Sequence, residues 1–190
     1  MDVELDAEAK DKRLNRMVAL TVVVLSIIMG LGQVKDGNVG QAMAQAQSNA
    51  VDRWGEYQAT KTKLHIDETA MAQDRFLAGI GGPKVATATA AEEARLTGEE
   101  AKYQREIPAL RKEAEGFAAQ YDALNVHDDQ FDASDAFLSI AISISAVAAL
   151  TDSFAALAVG WVFGALGLLM SAAGFFGWSL HSELMSRLLG

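Results

Sequence analysis

The sequence predicts an all-α membrane protein with three transmembrane helices. A long antiparallel helical hairpin, coiled-coil-like, is inserted between the first and the second. Three observations predict this. Two apolar tracts, 17–34 and 136–178, bracket the chain, and Asp152 is the only charged residue in either. Between them, apolar residues recur every seven positions in two runs. The runs are separated by Gly79-Ile80-Gly81-Gly82-Pro83, a composition that stops helices and permits reversal.

The first element is the span 17–34, preceded by a cytoplasmic segment 1–16. A helix rises ~1.5 Å per residue, so roughly 20 apolar residues cross ~30 Å of hydrocarbon. A basic flank before an apolar run also describes a secretory signal, with Ala42-Met43-Ala44 as a small-x-small cleavage site. The run is longer than a typical signal core, and that site lies about ten residues past its end. An uncleaved signal anchor is therefore expected.

The second element is the extramembrane insert 35–135. Its first arm places Met43, Ala50, Tyr57, Leu64, Met71 and Ala78 seven apart. Its second arm does the same with Leu96, Tyr103, Leu110, Phe117, Leu124 and Phe131. Such a repeat marks helices that pack along a seam. Ile107, Ala114 and Tyr121 fill the alternate positions of the second arm, which Glu100 and Asp128 interrupt. The alternate positions of the first arm are polar: Arg53, Thr60, Asp67 and Asp74. Pro108 removes a backbone donor inside the second arm. The apolar spacing keeps its phase there, so a kink is expected rather than a break.

The last elements are spans 136–151 and 154–178, joined by a turn at Thr151-Asp152-Ser153, and a tail 179–190 expected to lie along the membrane surface. Gly160, Gly164, Gly167, Ser171 and Gly174 follow one another by four, three, four and three. They share a helix face on which backbones approach closely. The expectation is a tight pairing with the second span through Ser139, Ser143 and Ala146, or a seam to a neighbouring subunit. Serines and glycines lining a pore are a less favoured reading.

Charge sets the orientation and excludes some functions. Lys10, Lys12, Arg13 and Arg16 crowd the first span, whereas Asp128, Asp129, Asp132 and Asp135 precede the second. Basic flanks favour the cytoplasm. The N-terminus is expected inside, and the insert outside, in the periplasm of a Gram-negative cell. The insert holds 11 of the 16 basic and 18 of the 25 acidic residues, which argues against nucleic-acid binding. There is no Cys, which excludes disulfides and thiolate chemistry. No ionisable residue interrupts the spans except at the turn, which weighs against a secondary transporter.

No catalytic constellation stands out. His65, His127 and His181 are far apart, without a poised nucleophile. No cofactor is expected. Asp128, Asp129, Asp132 and Asp135 have the oxygen density of a Ca²⁺ or Mg²⁺ site but lack the calcium-loop pattern. An acidic neck that caps the second span is the favoured reading, with metal second.

The stretch Asp52-Arg53-Trp54-Gly55-Glu56-Tyr57-Gln58-Ala59-Thr60-Lys61-Thr62-Lys63 resembles a bacterial membrane family known as domain of unknown function 4337. Ala136-Phe137-Leu138-Ser139-Ile140-Ala141-Ile142 is similar to that family's second-span opening. The resemblance implies this topology and a bacterial origin, and no activity.

The expected function is non-enzymatic: a self-associating inner-membrane protein that acts as an envelope scaffold or accessory binding protein. Its partners would be the lipid bilayer and further copies of itself. Contacts would run through Gly160, Gly164, Gly167, Ser171 and Gly174 and through Leu110, Phe117 and Leu124 on the stalk. The alternatives are a channel or transport component with a pore at an oligomer axis, or an accessory subunit of a larger membrane complex.

Overall fold

A computed structural model describes the backbone of residues 2–178 and the side chains of residues 12–178. The expected tail 179–190, with His181, Glu183 and Arg187, lies outside the described residues, as does the side chain of Lys10. Among the described residues the protein is all-helical, with no strand. Helix α1 is Asp2–Leu150 and helix α2 is Phe154–Phe176. Both are long and apolar enough, by length and composition, to cross a membrane.

One residue inside α1 departs from helical geometry. Gly82 has φ 74° and ψ −175°, a region open essentially only to glycine. It divides α1 into a first arm before it and a second arm after it. Pro108 sits inside the second arm without any such departure. The expected disruption there amounts to no break of the helix.

The described residues form two compact units, 2–43 with 122–178, and 44–121. In the second unit, Arg53 pairs with Glu113, Arg75 with Glu93, and Thr97 Oγ1 meets Met71 Sδ. All three pairs are centred within one residue of each other, at 83–84 next to Gly82, so the arms run antiparallel there. From Ala46 to Ala78 the first arm turns every third or fourth residue inward, and all ten are buried or half-buried. The polar residues Arg53, Thr60, Asp67 and Asp74 are among them. The second arm answers from Thr89 to Tyr121 in the same rhythm, including Glu100, Leu110 and Phe117.

The first unit packs the two apolar tracts together. Leu14 and Val18 meet Ala148 and Leu157. Leu25 meets Leu138 and Ala141. The reversal between α1 and α2 is tight: Asp152 takes φ 49°, and the Ser153 N–H donates to Ala148 O. Ser153 then caps α2 by accepting from the Ala156 N–H. Gly177, at φ 67°, closes α2 by donating to Ala173 O.

Candidate functional site

Two features of the first unit concentrate its polar and packing specificity. The first is a carboxylate cluster. Asp128, Asp132 and Asp135 lie on one side of the second arm, at steps of four and three. The first arm adds Asp36, whose carboxyl lies beside that of Asp128. Gln33 Nε2 donates to Asp135 Oδ2 at 2.9 Å. Asp36 Oδ1 and Asp129 Oδ2 are buried and accept no hydrogen bond. Burial, then the charges of Asp128, Asp132 and Asp135, raise the Asp36 carboxyl to about 6. Burial and the neighbouring Asp128, Asp129 and Asp135 also push Asp132 upward. Among the described residues no three His, Cys, Asp or Glu side chains are arranged to hold a metal ion.

Asp36 is the member that sequence reading missed. The signal was present: Gly32, Asp36, Val39 and Met43 continue the first arm's inward line backwards at steps of four, three and four. Sequence reading took up that line only at Met43.

The second feature is the glycine stripe. Gly160, Gly164, Gly167, Ser171 and Gly174 are all buried, and their contacts lie within the chain. A methyl group built on Gly167 would lie 2.7 Å from Leu138 Cγ and 3.1 Å from the Leu138 backbone N. One on Gly174 would lie 2.7 Å from the Phe131 ring. Gly160 faces Ser145 and Ala141, and Gly164 faces Leu25 as well as Ala141. Ser134 Oγ donates to Gly167 O at 3.0 Å, buried. The stripe thus receives side chains from both apolar tracts. Its contacts on the second arm are Ser145, Ala141, Leu138, Ser134 and Phe131. Ser139, Ser143 and Ala146, the residues expected there, are exposed. Ser143 donates to Ser139 O, and Ser139 to Met29 Sδ.

The family model for a domain of unknown function, DUF4337, matches residues 14–177. The chain belongs to the DUF4337 family. The match takes in both apolar tracts, the insert, the carboxylate cluster and the glycine stripe. No curated protein and no solved structure matches the chain.

The remaining concavities are open grooves. One of about 710 Å³ is lined by the first arm alone, including Gln58, Lys61, His65 and Ile66. His65 is paired with Glu68 and His127 with Gln130, so neither is aligned with a nucleophile.

Proposed function

We propose that this DUF4337 protein is a self-associating integral membrane protein, with a helical-hairpin stalk that serves as an envelope scaffold or accessory binding element. The observation that carries the membrane part is the outward apolar surface of the two tracts. Leu20, Val24, Ile27, Leu31, Val147, Leu150, Val162, Leu169 and Phe176 are all exposed. In water such a surface would be costly. In hydrocarbon it is solvated, and the backbone polar groups are already satisfied within the helices. On this reading 17–34, 136–151 and 154–178 are three spans. The basic flank at Lys12, Arg13 and Arg16 favours a cytoplasmic N-terminus, with the insert on the periplasmic side of a bacterial inner membrane.

Self-association is supported by the first arm of the second unit. Its outer face leaves Ile66, Phe76, Leu77 and Ile80 exposed to water. No charged residue intervenes on the line Ile66, Ala70, Gln73, Leu77, Ile80. Such a surface is a liability unless another helix covers it. Mass measurement of the full chain in mild detergent tests the reading. A homo-oligomer of one size is expected. A monodisperse monomer would refute self-association, and an obligate foreign subunit would replace it with the accessory-subunit role.

A further inference from the structure

The seam of the second unit contains a nearly buried carboxyl, one oxygen of which has no hydrogen-bond partner. Asp67 is only 9% exposed, and its Oδ2 accepts no hydrogen bond. The contacts on either side fix what it faces. Met71 meets Thr97 towards the Gly82 reversal, and Arg53 meets Glu113 in the other direction. Between those levels Asp67 stands at the level of Glu100. Glu100 is the acidic interruption of the second arm's apolar line. It is half-buried and accepts only from Gln104 of its own arm. Among the described residues no cation pairs with Asp67; Arg95 is paired with Glu92 and Glu99, and Lys102 with Glu106. The adjoining level towards the reversal is closed by Met71 and Leu96, both buried, and the one on the other side by Leu64 and Tyr103, both half-buried.

We propose that the Asp67–Glu100 level is a built-in opening point, at which the two arms separate locally while the levels on either side stay paired. The physical reason is the asymmetry of hydrogen-bond energetics. A buried acceptor left without a donor loses its hydration and gains nothing in return, and the loss is greater for a charged group. Separation returns water to the carboxylate. A helix that has lost its packing partner is only marginally stable, so the backbone amides at this level become exchangeable. The structure therefore contains a weak link in mid-seam, distinct from fraying at an end.

Hydrogen–deuterium exchange of the full chain in detergent tests this, read on peptides covering 62–70 and 98–105 against 46–57 and 108–121 on one side and 71–78 and 89–97 on the other. In the parent protein, exchange at the Asp67–Glu100 level is expected to be on the order of 10- to 100-fold faster than in the flanking peptides. Asp67→Leu should slow exchange on both arms at that level by a similar factor and leave the flanks unchanged. Asp67→Asn, which keeps the shape and removes the charge, should give an intermediate slowing. Equal protection along the parent seam would overturn the proposal, and so would an Asp67→Asn protein that exchanges at the parent rate. Neither readout depends on oligomer size.

Discussion

Gly167 is the position at which one methyl group has the most predictable effect. The alanine methyl would sit 2.7 and 2.8 Å from the Leu138 side chain and 3.1 Å from its backbone N. Leu138 is fully buried, so it has no free rotamer to retreat into, and a backbone contact cannot be relieved by rotating a side chain. The helices must move apart, which also stretches the Ser134–Gly167 hydrogen bond. Overpacking of this kind costs about 1–3 kcal/mol. Gly30 is the internal control, because nothing lies within 4 Å of a methyl group built there. Gly30→Ala should be neutral or stabilising by up to ~1 kcal/mol through helix propensity. The two variants are expected to differ by about 1–4 kcal/mol. Denaturant titration in mild detergent, followed by the fluorescence of Trp161 and Trp178, measures the difference. Equal stability of Gly167→Ala and Gly30→Ala would refute the close approach of α2 to the second arm.

Three further predictions concern other parts of the chain. Asp36 has its carboxyl raised from 3.8 to about 6 in the folded protein, so folding favours its protonated form. The corresponding stability is fully present below pH ~4 and is lost as pH rises through about 6. Two pK units correspond to ~3 kcal/mol, and solvent screening of this partly open site reduces that to about 1 kcal/mol. Thermal midpoints between pH 4.5 and 8 should fall with pH, and Asp36→Asn should flatten the slope. Gly82→Ala forces a side chain into φ 74°, ψ −175° and should cost about 1–3 kcal/mol, seen as earlier melting and faster proteolysis of residues 44–121. Leu110→Asp places a charge on the half-buried seam and should destabilise the same unit by about 2–4 kcal/mol. An unchanged protease-resistant fragment would count against the seam assignment.

Much of the helical layout was legible because it follows from spacing. The glycine-rich segment pointed to a reversal, and the four-three spacing of Gly160 to Gly174 put five small residues on one face. Two things were not legible. Spacing placed the polar residues Arg53, Thr60, Asp67 and Asp74 at the alternate positions of the first arm's repeat, without showing that they are buried there. They lie on the inward line itself, because helical phase, not polarity, decides which way a side chain points. Nor does spacing within one segment name the partner of a face. Asp36 joins the carboxylates of the second arm through a pairing between positions nearly a hundred residues apart, which no local pattern encodes. The aspartates of the neck were visible as a run, but what raises Asp36 is its burial and their proximity in space.

The intrachain use of the glycine stripe bears on where a second copy would bind. Filled by Leu25, Leu138, Ala141 and Phe131, it leaves nothing for a neighbour, so under the proposed reading association must use another face. Two are uncovered. In the first unit, Ala19, Val23, Ser26 and Gly30 face outward. In the second, Ile66, Phe76 and Ile80 are 61, 68 and 69% exposed. These faces differ in driving force. On the membrane reading, lipid would solvate the first as well as a helix does, so only packing would favour association there. Water surrounds the second, and burying such side chains is worth about 1.5–3 kcal/mol each. The water-exposed face should therefore dominate. Replacing Ile66, Phe76 and Ile80 together by serine should reduce the oligomer to smaller species in analytical ultracentrifugation, whereas Gly30→Leu should leave its size unchanged. The reverse outcome would place the interface within the membrane and would make the exposed stalk residues the contact for a different helical partner.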